Sequence, residues 1–273
     1  MKSSLYIGTS GWSYTDKTGW LDVFYKSKSG LLKQYLTYFD TAEINSTFYA
    51  LPQPRFIQHL ATGTDEKKFF TAKLPKKITH DYKLDLTGEG REVLSEFYSL
   101  IGPMRAKLAA LLIQLPPWNI SKMADLESFF SGLDSSFRYA IEFRDDSWLT
   151  DRVWSLLEQY NVAHVIVDEP KLPIIPRVTS DFSYIRWHGH GKRPWYNYHY
   201  SEQELEKWVP HIKTVQKEAK TVYGYFNNHF SGSAPINALQ MLKFMGMINP
   251  QQEMKLERML DFISVQQTSL DDF

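Results

Sequence analysis

The chain is 273 residues long and 43% hydrophobic, carries 31 Lys plus Arg against 31 Asp plus Glu, and has no cysteine. Disulfides, thiolate metal sites and cysteine nucleophiles are thereby excluded, and no global field draws the chain to nucleic acid or an anionic membrane, so such binding would need a local patch. The opening residues Met1 to Ile7 lack the long apolar run of a signal peptide, and no stretch reaches the roughly 18 apolar residues of a membrane span, so a cytoplasmic protein without membrane contact is expected.

In chain order, short apolar runs predict strands at Leu5 to Thr9, Thr41 to Asn45, Phe69 to Lys73, Ala109 to Gln114, Tyr139 to Phe143, Ala163 to Asp168, Phe182 to His188 and Val222 to Asn227. Helical patterns fall between them at Leu31 to Phe39, Pro54 to Leu60, Arg91 to Ile101, Ala124 to Phe130, Asp151 to Tyr160, Glu202 to Lys217 and Pro235 to Met245, several with Ser, Thr or Asp near the start as caps. Between the sixth and seventh strands, Pro170, Pro173 and Pro176 forbid a regular helix. The pattern predicts a (β/α)8 TIM-like barrel with one degenerate helix between strands 6 and 7. It is expected as a single domain over residues 1–273, with a C-terminal extension from about residue 248 whose amphipathic stretch near Met254 to Ile263 packs on the barrel. The first turn, Gly8-Thr9-Ser10-Gly11-Trp12, is not a GxGxxG loop, which argues against a dinucleotide-binding open sheet.

Most of these strands end in charged or amide side chains, and the place where parallel strands stop is where barrels carry chemistry. Residues two apart on a strand share a face, so Glu43 with Asn45, Glu142 with Arg144, Arg186 with His188, and Tyr225 with Asn227 form same-side pairs. Helices seal the outer face, where an unpaired charge costs several kcal/mol, so these pairs are expected to converge at the barrel mouth. Glu43, Glu142 and Asp168 would then meet Lys73, Arg144 and Arg186, with Gln114, Asn227 and Asn228 adding amides and Tyr14 walling the first loop. Three cations beside three carboxylates would repel a bare divalent ion, so no cofactor and no metal ligand is expected, a divalent metal remaining the alternative. The same charges could instead form an ion-pair network that only closes the barrel top.

The segment from Arg186 to Tyr200 interleaves basic and aromatic residues, Lys192, Arg193, Trp195 and Tyr196 among them, which suits contacts to phosphate and stacking on bases or sugar rings. Lys67, Lys68, Lys73, Lys76, Lys77, His80 and Lys83 add a basic stretch around the third strand.

The segments Gly8-Thr9-Ser10-Gly11-Trp12-Ser13-Tyr14, Glu43 to Tyr49, Gln114-Leu115-Pro116-Pro117, Glu142-Phe143-Arg144 with Ser147-Trp148, Arg186-Trp187-His188-Gly189 and Tyr225-Phe226-Asn227-Asn228 together resemble the YecE-like family of unknown function. The resemblance implies a TIM-like barrel akin to the xylose-isomerase-like barrels that include endonuclease IV, and with it a phosphate or nucleic-acid ligand. The mixed charges depart from a histidine-rich zinc nuclease.

The leading expectation is an enzyme, a hydrolase or isomerase, acting on a phosphate-bearing substrate such as a sugar phosphate or nucleic-acid fragment. Lys73, Arg144 and Arg186 would clamp the anion, Glu43 or Glu142 would move a proton, and His188 would serve as acid. The alternative is a non-catalytic nucleic-acid-binding protein using the 186–200 loop and the lysines. A third reading is a glycosidase with Glu43 and Glu142 as its carboxyl pair. Nothing in the sequence specifies an oligomeric symmetry.

Overall fold

The computed structural model describes residues 3–15, 20–192 and 194–271. Eight parallel strands form: β1 (Ser4–Ser10), β2 (Thr41–Ile44), β3 (Phe69–Lys73), β4 (Leu108–Gln114), β5 (Tyr139–Glu142), β6 (Ala163–Asp168), β7 (Phe182–Trp187) and β8 (Thr221–Phe226). They pair in chain order, and β8 pairs back onto β1 to close the barrel. The fold is the expected TIM-like barrel.

Alternation along each strand sorts the side chains into two packed sets. Ala110, Leu112, Ala140, Val165, Val167, Phe182, Tyr184, Tyr223 and Tyr225 pack together inside the barrel. Ile7, Ile44, Phe70, Ile113, Ile141, Ile166, Ile185 and Phe226 belong to the other set, packed with residues from the helices. The lower interior is closed by rings: Tyr6 lies 5.3 Å from Phe69 and 5.5 Å from Tyr223. Above them Tyr184 and Tyr225 bond to Thr71 and Thr41 at 2.8 and 2.6 Å, which satisfies hydroxyls that would otherwise be stranded in a dry core.

The helices are α1 (Leu31–Tyr35), α2 (Ser46–Tyr49), α3 (Pro54–Thr62), α4 (Glu89–Ile101), α5 (Leu126–Ser131), α6 (Asp151–Gln159), α7 (Glu202–Val215), α8 (Ser233–Phe244) and α9 (Pro250–Asp271). Local chemistry sets several of their starts. Asp125 accepts from the Ser128 amide at 2.8 Å, Thr150 accepts from Val153, and Ser201 with Glu204 forms a capping box. The first expected helix is shorter than its pattern, because the chain turns after Tyr35. The four-residue α2 and a π-turn at Lys77–Asp81 carry no long apolar repeat and were not foreseen.

No helix forms between β6 and β7, as the three prolines require. Thr179 pins that strap instead, donating to the Val162 carbonyl and accepting from the His164 amide at 2.7 and 2.8 Å. After β8, α8 lies against β1 and α9 packs on α8, burying Leu256 and Met259. The amphipathic stretch thus covers its own barrel. Gln252 of α9 also donates to the Tyr38 carbonyl at 2.6 Å and Lys255 to the Val23 carbonyl at 2.7 Å, tying the last helix to the first βα segment. No helix among the described residues is long and apolar enough to cross a membrane.

Gly8 marks the tightest approach between β1 and β2. A Cβ there would stand 2.3 Å from the Thr41 carbonyl oxygen and 2.9 Å from the Tyr35 hydroxyl. Because the first obstacle is backbone, it cannot rotate away, and we expect Gly8→Ala to destabilise the fold by about 2 kcal/mol or more in urea unfolding. A variant as stable as wild type would show that β1 and β2 have room to separate.

Candidate active site

Arg186 projects from β7 into the upper barrel and is fully buried. One terminal nitrogen donates to Glu142 and the other to Glu43, each at 2.6 Å. Glu43 also accepts from Ser10 and from Tyr184, again at 2.6 Å each. Arg144 follows β5, donates through Nε to Glu142 at 2.5 Å, and forms a second ion pair with Glu169. The expected convergence of strand ends is therefore real for Glu43, Glu142, Arg144 and Arg186. Three carboxylates share two guanidiniums, which leaves one unit of negative charge in the network.

These environments set protonation. Burial opposes ionisation of Glu142, but the Arg144 and Arg186 guanidiniums outweigh it and hold its carboxyl well below the usual range. Burial also raises the Glu169 carboxyl, and its partner Arg144 only partly offsets that. The Asn227 side-chain amide meets His188 Nδ1 at 2.9 Å, while Nε2 stands 3.3 Å from both Glu142 and the Arg144 guanidinium. Burial, then the nearby Arg144 charge, pushes the His188 pKa down to about 3. The expectation that His188 is an acid at neutral pH is thus corrected: it is a neutral imidazole that orients Glu142.

Above the network a cavity of about 520 Å³ opens at the carboxyl ends of the strands. Of the expected site residues, Asn45, Lys73, Gln114, Arg144, Arg186, His188 and Asn227 line it. Glu43 and Glu142 lie beneath, fully buried. Tyr14 lines an adjoining pocket that shares Ser10, Asn45 and His229 with the cavity, and its hydroxyl donates to the Ser10 carbonyl at 3.2 Å.

Two expected residues are not there. Asp168 points outward, accepting from the Trp208 indole at 2.8 Å and bonding to His190 at 2.6 Å, because Val165 and Val167 take the inward positions on β6. Asn228 is buried behind the wall, donating to Asn237 at 2.8 Å and to the Tyr198 carbonyl at 2.9 Å. Several residues not singled out for the mouth do line it: Ser10, Phe48, Tyr49, His80, Glu169, Lys171, Trp195, Tyr196 and His229.

Lys73 differs from the other cations. Thr47 bonds to its backbone carbonyl, while its ammonium sits 3.9 Å above the Phe48 ring with no side-chain or backbone acceptor among the described residues. Burial, reinforced by the Arg186 charge, lowers its pKa to about 7.

The basic and aromatic stretches divide in the same way. Trp195 and Tyr196 face the cavity, with Tyr196 stacked on His229 at 5.2 Å, whereas Tyr200 is buried and Tyr198 bonds to Glu204. Lys68 is paired with Asp40 at 2.6 Å, and Lys67, Lys76, Lys77 and Lys83 are exposed. Arg193 lies outside the described residues.

The donor set does not fit a divalent cation. Among the described residues no group of three or more His, Asp or Glu side chains is arranged to hold a metal, and the mouth carboxylates are already bound to guanidiniums.

Fold and site together define a TIM-like α/β barrel with a charged, covered mouth. The chain belongs to the family described as "Protein of unknown function DUF72", whose model matches residues 6–259. The "UPF0759 protein YunF" of Bacillus subtilis (strain 168) is 27% identical over 272 residues, spanning 88% of this chain and 94% of that protein. The "UPF0759 protein YecE" of Escherichia coli (strain K12) is 27% identical over 141 residues, 51% of this chain and 48% of that protein. A solved DUF72 family protein from Thermotoga maritima superposes with a TM-score of 0.75 at 30% identity, covering 89% of this chain and 99% of its own. A xylose isomerase-like TIM barrel/4-hydroxyphenylpyruvate dioxygenase fusion protein, 12% identical, shares the fold at a TM-score of 0.51 over 94% of this chain and 44% of its own.

Two outcomes follow from the electrostatics. Replacing Arg186 by Met leaves Glu43 and Glu142 without their shared cation, and we expect a loss of about 3–5 kcal/mol in urea unfolding. For Lys73 the sign runs the other way. An unfolded lysine holds its proton to about pH 10.5, whereas folded Lys73 releases it near 7. The unfolded chain therefore binds more protons between those values, and unfolding free energy should rise with pH there by up to about 1.4 kcal/mol per unit. Lys73→Met should lack that rise when urea midpoints are compared at pH 7, 8 and 9.

Proposed function

We propose that the barrel mouth is the active site of an enzyme, an isomerase or hydrolase, acting on a small phosphate-bearing substrate, with a sugar phosphate favoured over a nucleic-acid fragment. The observation that carries this reading is the cavity of about 520 Å³ at the carboxyl ends of the strands, of metabolite size, with an uncommitted cation in its wall. Arg144 and Arg186 already serve carboxylates, so the anion clamp is reassigned to Lys171 at the rim, and Lys73 is left in the wall beside the rest of the substrate. Asn45, Gln114 and Asn227 offer amides to sugar hydroxyls, and Phe48, Trp195 and Tyr196 supply flat faces for a ring.

The glycosidase reading loses support on the same geometry. It needs one carboxyl of its pair held protonated and reachable, but Glu142 is held ionised and neither it nor Glu43 meets the cavity. The non-catalytic nucleic-acid reading rests on the 186–200 loop, whose Trp195 and Tyr196 line the cavity, and on the exposed lysines around β3.

Thermal-shift and calorimetric titration with fructose 6-phosphate and dihydroxyacetone phosphate, against the unphosphorylated sugars, tests the proposal. Phosphorylated compounds should stabilise the wild-type protein, and Lys171→Ala should weaken them by about 1 kcal/mol, or roughly fivefold in Kd. Equal binding of sugars with and without phosphate would overturn it. Binding of short oligonucleotides alone, weakening with salt by a log–log slope of about −0.7 per phosphate contact, would favour the non-catalytic alternative.

A further inference from the structure

We propose that Lys73 is a nucleophile that forms an imine with a carbonyl carbon of the substrate, so that the compounds turned over at this mouth are aldehydes or ketones. The inference rests on the reading of the mouth as an active site for small phosphate-bearing molecules and names the reactive group within that class.

Geometry carries it. Lys73 is the last residue of β3, on the strand face that alternation turns into the barrel, and its side chain is 7% exposed while still lining the cavity. A lysine kept for structure finds an acceptor, as Lys68 does with Asp40 at 2.6 Å and Lys255 with the Val23 carbonyl at 2.7 Å. Around Lys73 there are carboxylates in quantity, yet Glu43, Glu142 and Glu169 are taken by Arg186 and Arg144. The amine is left facing the Phe48 ring and open cavity. Arginines that absorb every nearby carboxylate also withhold the anions that would keep the amine protonated, and desolvation beside another cation is a recognised way to activate a lysine. A pKa of about 7 is consistent with that arrangement. At pH 7 about half of Lys73 is then neutral, against roughly one part in three thousand of an exposed lysine.

The step balances without an external oxidant or reductant. The neutral amine adds to the carbonyl carbon; a carbon–nitrogen bond forms and the carbonyl π pair moves to oxygen, which takes up a proton. Nitrogen gives up a proton, the hydroxyl of the resulting carbinolamine is protonated, and water leaves as the nitrogen lone pair closes the double bond. The protons taken up by oxygen and given up by nitrogen pass to and from water in the open cavity.

Trapping with sodium cyanoborohydride tests the inference on the full-length protein. Dihydroxyacetone phosphate is the probe, dihydroxyacetone its phosphate-free counterpart, and inorganic phosphate the competitor, with adducts located by peptide mapping. The expected result at pH 7 is a reduced adduct on Lys73 at least about tenfold above the exposed Lys76 and Lys77, with a labelling rate that levels off above pH 7 to 8. Labelling at Lys73 no greater than at Lys76 and Lys77 with either carbonyl compound overturns it. Inorganic phosphate that binds the cavity without any Lys73 adduct forming leaves the phosphate reading standing and rejects the imine. Equal Lys73 labelling by both probes, insensitive to phosphate, supports the nucleophile and rejects the phosphate reading. Because the comparison is among lysines of the wild-type chain, it does not depend on a Lys73 variant folding.

Discussion

Arg186 is the constraint on which the upper half of this barrel depends. Its guanidinium joins Glu43 from β2 to Glu142 from β5 while standing on β7, three strands that are not neighbours in the sheet. Backbone pairing links each strand only to its flanks, whereas this fork braces the barrel across its interior. Two carboxylates placed there without it would each bear a desolvation cost of several kcal/mol. Further lone pairs are used by Ser10 and Tyr184 on Glu43 and by Arg144 on Glu142, which lowers the cost of burying the network, while Arg186 Nε has no partner among the described residues. The brace then determines the chemistry left over, because it occupies both arginines and leaves the lysine alone.

Much of the fold was legible because parallel strands buried on both faces read as short apolar runs, and eight of them occur, most with a helical pattern before the next. The proline strap after β6 was legible for the same kind of reason, since Pro170, Pro173 and Pro176 act locally. Convergence of Glu43, Glu142, Arg144 and Arg186 followed from strand alternation and the expense of a charge on a helix-covered face.

What escaped depends on facts that a single strand does not carry. Asp168 ends its strand as Glu142 does, but one register position decides between cavity and outer layer, and Val167 holds the inward place. Asn227 and Asn228 split for the same reason, one on each side of the wall. Glu169 lies in an irregular strap where alternation says nothing, and His80 sits in a π-turn that no periodicity announces. The protonation of His188 and Lys73 depends on which arginine lies beside them, and proximity between β5, β3 and β7 exists only once the barrel is closed.

Closure itself has a consequence for how the molecule comes into being. β1 completes its hydrogen bonds with β8, from Ser4 against Thr221 to Thr9 against Phe226, and α9 afterwards reaches back to the carbonyls of Val23 and Tyr38. A nascent chain leaving the ribosome must therefore carry a first strand with one edge open until more than 200 residues have followed it. The brace, assembled from β2, β5 and β7, can form only once Arg186 has been made, so the three strands acquire their shared charge network together and not one by one.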